Sequence, residues 1–159
     1  MDGSITFIER QRFDTVRSLQ LPCGRCIGCR LERSRQWAMR CVHEASLSPY
    51  NSFITLTYDD AHLPYRSDLD YPAFQRFLKR LRKTASSPVR FYMCGEYGPL
   101  TQRPHYHACL FNFDFADKTY WRTSDAGSRC YRSELLDRLW GLGHAECGAV
   151  TVYLLCARS

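Results

Sequence analysis

Residues 94–111 read CGEYGPLTQRPHYHACLF, and the alternation within this stretch decides the fold. His105 to Phe111 is rich in aromatic and apolar residues and reads as a strand. Val89 to Glu96 reads as another, and the turn-rich segment 97–104 between them predicts a hairpin. Successive side chains of a strand point to opposite faces, so His105 and His107 project together while Tyr106 points the other way. Glu96 alternates with Cys94 and Tyr92, and pairing of the two strands brings its carboxylate to the histidine face. Two imidazoles and one carboxylate leave positions open on a divalent ion for water and substrate oxygens. A His-x-His strand also arises without any metal. What favours ligation here is the acid nine residues upstream, the turn-rich loop between, and Pro104 directly before the first histidine.

Working outward, Phe53-Ile54-Thr55-Leu56-Thr57-Tyr58 is a strand of β-branched and aromatic residues closed by Asp59-Asp60. Asp70 or Tyr71 opens a helix with Pro72 in its first turn and an apolar stripe of Phe74, Phe77, Leu78 and Leu81. Its other face carries Arg76, Lys79, Arg80, Arg82 and Lys83. Residues 30–47 form an amphipathic helix with Leu31, Ala38, Cys41, Val42 and Ala45 on one side and Arg30, Arg33, Trp37 and Arg40 on another. Residues 112–129 read as polar and turn-like, 133–140 as a short helix and 149–155 as a last apolar strand. The order is αβαββαβ, which predicts an α+β fold: a central antiparallel β-sheet flanked by helices, with the helices on one face. Residues 1–22 read as an irregular lead-in to a single domain over 23–159.

A chain of 159 residues with 45% hydrophobic and 14% aromatic residues can bury one core, which sets it apart from a disordered tail. No run of about 18 apolar residues exists to span a bilayer. The opening MDGSITFIERQRFD lacks the basic-then-apolar pattern of a secretory signal, so the expected location is the cytoplasm where the chain is made. Nine cysteines, an odd number, then read as free thiols or metal ligands rather than a disulfide framework.

Cys23, Cys26 and Cys29 fall as C-x2-C-x2-C, a spacing at which three thiolates can share Zn²⁺ with a fourth ligand such as Cys41 or His43; the alternative is thiols that only pack or oxidise. Cys94 and Cys109 read as core residues. The net charge of +6 is gathered on the two helices, which makes nucleic acid the natural polyanionic partner. Arg30, Arg33, Arg40, Lys79, Arg82 and Lys83 are candidate phosphate contacts, Trp37 a platform for an unpaired base, and Arg103 a clamp beside the histidines. Each charged face has the plainer reading of a solvated surface.

The stretch 94–111 resembles the Glu…His-hydrophobe-His signature of the HUH replication-initiation endonucleases, and FITLTYDD (53–60) resembles their first motif-bearing strand. CGRCIGCRLERSRQWAMRCVHEA (23–45) is similar to the opening of the replication initiators of gokushovirus-type microviruses, small single-stranded DNA bacteriophages. The resemblance implies a metal site of Glu96, His105 and His107 holding Mg²⁺ or Mn²⁺, and a tyrosine that attacks the scissile phosphate of origin DNA. It implies a 5′-phosphotyrosine link, a free 3′-hydroxyl for the host replication machinery, and action in the cytoplasm of the bacterial host.

Members of that family carry the nucleophile in a Tyr-x3-Tyr pattern after the last strand, and this sequence has none. Tyr153, in the apolar run Val150 to Leu155, is the tyrosine in that neighbourhood and stands as the candidate nucleophile against a packing role. Two other readings stay open. One is a C-terminally truncated DNA-binding module without cleavage; the other is a zinc hydrolase acting through metal-bound water, although such enzymes usually set their histidines four apart on a helix.

Overall fold

The computed structural model describes residues 21–125 and 127–150. Among these residues three α-helices and six strands follow one another as α1 (Ile27–Ser46), β1 (Asn51–Tyr58), α2 (Tyr71–Thr84), β2 (Arg90–Tyr97), β3 (Pro104–Phe111), β4 (Thr119–Thr123), β5 (Arg129–Arg132), α3 (Glu134–Trp140) and β6 (Gly143–Gly148). The strands form one sheet in the order β2-β3-β1-β6-β5-β4, with every neighbouring pair antiparallel. The α+β class expected from the sequence holds.

Period-2 alternation decides what each face of the sheet does. On one face Ile54, Leu56 and Tyr58 of β1, Tyr106, Ala108 and Leu110 of β3, and Ala145 and Cys147 of β6 are buried with Phe74, Phe77 and Leu81 of α2 and Leu136 and Trp140 of α3. The other face carries Thr55, Thr57, His105 and His107, which pair across β1 and β3 as Thr55 with His107 and Thr57 with His105. Burial of the first face supplies the main stabilisation, since removal of apolar area from water is the dominant favourable term in folding. Polar ties orient the helices on it. The Trp140 indole N–H donates to the Thr57 carbonyl at 3.1 Å. The Arg80 guanidinium of α2 donates to the Leu139 and Trp140 carbonyls at 2.8 and 3.1 Å, capping the end of α3.

Helix α1 departs from the expectation of helices on one face. It lies against the histidine face, where Cys41 packs with Cys109 and Phe111 beside Phe53 and Tyr92, and its Glu44 pairs with Arg90 at 3.0 Å. Only Ala38 and Cys41 of its expected apolar side are buried, whereas Leu31 and Val42 stay 61% and 38% exposed. A helix seated by its C-terminal half needs a narrower stripe than one lying flat on a sheet.

Two further differences concern the strands. The segment read as polar and turn-like contains the β4–β5 hairpin, turned through Ser124 to Ser128. The last described strand is Gly143–Gly148, ahead of the expected 149–155; residues 149 and 150 are not in a strand, and 151–159 lie outside the described residues. Strand β6 has weak intrinsic β preference, and its place between β1 and β5 holds it extended. Gly143 is required there, because at φ +146° a Cβ would lie 2.3 Å from the Asp59 nitrogen and 2.4 Å from the Thr57 oxygen. The lead-in expected over 1–22 lies outside the described residues apart from Leu21 and Pro22.

Candidate metal centre

The β2–β3 hairpin forms in the expected register, with Glu96 opposite His105 and Cys94 opposite His107. The connecting loop is closed by Gly98 N–H donating to Arg103 O at 3.0 Å and Gln102 N–H donating to Gly98 O at 2.9 Å. Glu96, His105 and His107 thereby converge, their ligand atoms all within 4.8 Å of one another. Glu96 Oε2 lies 3.9 Å from Nε2 of His105 and 3.9 Å from Nε2 of His107. That is too far for a hydrogen bond. It fits two donors sharing one ion, because two ligand bonds of about 2.1 Å span up to about 4.2 Å.

Groups behind the imidazoles set their orientation. His105 Nδ1 faces the Arg103 carbonyl at 3.2 Å, and since a carbonyl only accepts, Nδ1 carries the proton and Nε2 presents its lone pair toward Glu96. His107 Nδ1 meets the Thr55 hydroxyl at 3.1 Å, again leaving Nε2 on the Glu96 side. Phe53 stacks on the His107 ring at 5.5 Å between centroids, and the Cys94 thiol donates to Glu96 Oε1 at 3.4 Å. The triad grades from buried to open, with His107 side chain 4% exposed, His105 17% and Glu96 32%. One imidazole is locked in the sheet while the carboxylate stands at the mouth. The donor set of two nitrogens and one oxygen with an open side suits Mg²⁺, Mn²⁺ or a related divalent cation.

A cleft of about 590 Å³ adjoins the triad, lined by Thr55, Thr57, His105, His107, His144, Glu146, Trp121, Arg122 and Arg132 among others. Trp121 is flanked by two guanidinium groups, Arg122 at 5.1 Å and Arg132 at 4.6 Å from its ring centroid. Arg122 is held by Glu146 at 3.1 Å, and Arg132 stands 3.9 Å from Asp137. These residues were not singled out from the sequence. The available signal was Thr119-Tyr120-Trp121, strand formers just before Asp125-Ala126-Gly127, a turn sequence.

The structure sorts the expected nucleic-acid contacts by position. Arg30, Arg33 and Arg40 are carried by α1, the helix on the triad's side of the sheet. Trp37 stacks on Tyr92 at 5.2 Å beneath Arg40 at 4.9 Å, so its ring is partly used within the fold. Lys79, Arg82 and Lys83 belong to α2 on the opposite face, and Arg82 donates to the Val89 carbonyl at 3.2 Å. Arg103 donates to the Tyr58 carbonyl at 2.9 Å and pairs with Asp60.

Tyr153 lies outside the described residues. Among the described ones no tyrosine lines the cleft. Tyr58 and Tyr106 are buried in the core, their hydroxyls 3.3 Å apart, and burial raises the pKa of both, which is the wrong direction for a nucleophile. Cys23, Cys26 and Cys29 form a second group, their sulfurs also within 4.8 Å of one another. Cys41 is buried under α1 and, like His43, is not part of that group.

No helix among the described residues is long and apolar enough to cross a membrane. Comparison with known proteins agrees with the resemblance drawn from the sequence. The chain is 38% identical over 161 residues to the replication-associated protein VP4 of Bdellovibrio phage phiMH2K, covering 94% of this chain and 50% of that protein. It is 34% identical to the replication-associated protein ORF2 of Spiroplasma virus 4 (84% and 44% covered) and 32% identical to the replication-associated protein ORF4 of Chlamydia phage 1 (84% and 35% covered). The chain thus spans about half or less of the length of these relatives. No solved structure matches it. The family model described as replication-associated protein of the ORF2 type matches residues 51–155, from β1 through the triad and beyond β6, and the chain belongs to that family of phage replication proteins.

Proposed function

We propose that this chain carries the metal centre of a replication initiator that nicks single-stranded DNA at a phage origin, in the cytoplasm of the bacterial host. The observation that carries the reading is the convergence of Glu96, His105 and His107 on one sheet face beside an open cleft. Family membership supports a role in replication, and a strand-borne His-x-His with an opposed glutamate supplies what phosphodiester cleavage needs from the protein.

In this reading Glu96, His105 and His107 hold Mg²⁺ or Mn²⁺, and the ion, when bound, offsets charge developing on the scissile phosphate. The residues around it position the strand. Trp121, exposed between Arg122 and Arg132, offers a stacking face for an unpaired base with cationic groups for the flanking phosphates. Arg30, Arg33 and Arg40 on α1 extend the basic surface on the same side of the sheet. A tyrosine hydroxyl attacks phosphorus, the bond to the 3′-oxygen breaks, and the phenolic proton balances release of that oxygen as a 3′-hydroxyl. The resulting 5′-phosphotyrosine conserves the bond for rejoining, while the 3′-end is available to the host replication machinery. Tyr153 is the candidate nucleophile within this chain.

The test is incubation of the chain with end-labelled circular single-stranded phage DNA and Mg²⁺ or Mn²⁺. The reading expects a chelator-sensitive nick that leaves protein on the 5′-end and disappears in Tyr153→Phe. Cleavage with no attached protein would favour metal-bound water as nucleophile, and cleavage surviving Tyr153→Phe would move the nucleophile elsewhere. Binding without cleavage would leave a DNA-binding module.

A further inference from the structure

We propose that Cys23, Cys26 and Cys29 bind one Zn²⁺ through their three sulfurs, forming a metal knot that fixes the start of α1, separate from the Glu96 centre. The geometry of the sulfurs is the first argument. All three lie within 4.8 Å of one another, and Cys23 Sγ is 3.8 Å from Cys29 Sγ. A tetrahedral ion with metal–sulfur bonds of about 2.3 Å has its sulfurs about 3.8 Å apart. A four-iron cluster seats each cysteine on a different metal and so spreads the thiolates wider than a single ion does.

The backbone is wound for the purpose. Gly24 sits at φ +72°, which turns the chain back after Cys23, and the Cys26 N–H donates to Cys23 Sγ at 3.4 Å. These sulfurs have no packing role to explain them. Cys23 and Cys26 are exposed, in contrast with Cys41, Cys109 and Cys147, which are buried as small apolar groups. All three are free thiols, so no disulfide accounts for the spacing.

The site also supplies what α1 lacks. Cys26 is the N-cap residue, with no side-chain hydrogen bond to the helix and no acid in the first turn. Ile27 and Leu31 are 71% and 61% exposed, so packing does not hold this end. Zn²⁺ with three thiolates carries a net charge of −1, the sign that the N-terminal end of a helix favours. The fourth position is filled by water or by a donor outside the described residues. Cys41 cannot reach it, because twelve helical residues separate it from Cys29 by about 18 Å. Thiolates select zinc, whereas the nitrogen and carboxylate donors of the triad accept the harder Mg²⁺ or Mn²⁺, so the chain would keep two metal sites of different chemistry.

The test uses the whole chain with added zinc, dialysed and assayed for bound metals and acid-labile sulfide, followed by Co²⁺ substitution. The proposal expects one zinc per chain in the wild type and in Glu96→Ala/His105→Ala, and at least tenfold weaker retention in Cys26→Ser/Cys29→Ser. It expects Co²⁺ to give a thiolate charge-transfer band in the first two and none in the cysteine variant. Should the cysteine variant fail to fold, alkylation of the wild type decides. Cys23, Cys26 and Cys29 should resist iodoacetamide with zinc bound and react after chelation, read by peptide mass spectrometry. Iron with sulfide in place of zinc, zinc retention unaffected by the cysteine changes, or immediate alkylation in the presence of zinc would each overturn the proposal.

Discussion

Thr55 and His107 face each other across β1 and β3, with the threonine hydroxyl 3.1 Å from His107 Nδ1. That contact fixes the ring of the most buried member of the triad and keeps its Nε2 turned to Glu96. Outer partners of this kind typically change metal affinity about 10–100-fold when removed. Thr55→Val, which keeps the shape and removes the hydroxyl, should weaken Mn²⁺ binding by about tenfold, as measured by isothermal titration, with the melting temperature little changed. Unaltered affinity would show that the hydroxyl does not orient the ring.

The cleft and the α2 surface make opposite predictions for DNA binding. Trp121→Ala should weaken binding of a single-stranded oligonucleotide by about 1–3 kcal/mol, the usual value of one base stacked on an aromatic ring. Lys79→Ala/Lys83→Ala, on the far face, should change it by less than about twofold at about 0.15 M salt, where charges more than about 8 Å away are largely screened. Fluorescence anisotropy with a labelled oligonucleotide reads both. A larger loss from the α2 pair would mean that the strand runs over the other face.

Asp117 ties the segment before β4 to the start of α3. It accepts from the Ser133 hydroxyl at 2.6 Å and from Leu135 N–H at 2.9 Å, while Ser133 Oγ caps the helix by accepting from Leu136 N–H at 3.1 Å. Burial works to raise its pKa, but the hydrogen bonds from Ser133 and Leu135 outweigh it and hold the carboxyl below its ordinary value. A lowered folded pKa means that the contribution is present above the unfolded value of about 3.9 and is lost as pH falls through the folded one. Asp117→Asn should therefore destabilise the protein at pH 7, by less than about 1 kcal/mol because the group is exposed. The difference should shrink toward pH 3. Urea unfolding at the two pH values reads it.

Ser133→Ala removes both the helix cap and the donor to Asp117. The expected loss is about 1 kcal/mol in the same urea experiment, the ordinary value of a serine N-cap. No measurable loss would mean that the cap is replaced by water.

The centre of the molecule was legible because its signals are strong and local. The alternation of His105, His107 and Cys109 with Tyr106, Ala108 and Leu110 decides both the strand and its faces, and a one-residue slip would have turned the histidines into the core. The stripe of Phe74, Phe77, Leu78 and Leu81 was equally plain, and all four are buried. The rest depends on neighbours. Strand β6, GHAECG, has little β preference of its own and is extended because β1 and β5 flank it. The β4–β5 hairpin is polar and half solvated, so its burial pattern does not resemble a core strand. Missing that hairpin hid Trp121, Arg122 and Arg132, the part of the cleft away from the triad. Helix α1 was expected to bury Leu31 and Val42, but a periodic pattern does not say how much of a helix finds a surface.

The central claim is that Glu96, His105 and His107 together hold a hard divalent cation. Titration of Mn²⁺ followed by electron paramagnetic resonance, which distinguishes free from bound ion, tests it most directly in the whole chain and in Glu96→Ala and His105→Ala. The account predicts one bound Mn²⁺ per wild-type chain and at least tenfold weaker binding in each variant, with the circular dichroism of the fold retained. Binding of equal strength in all three chains, or none in the wild type, would contradict it.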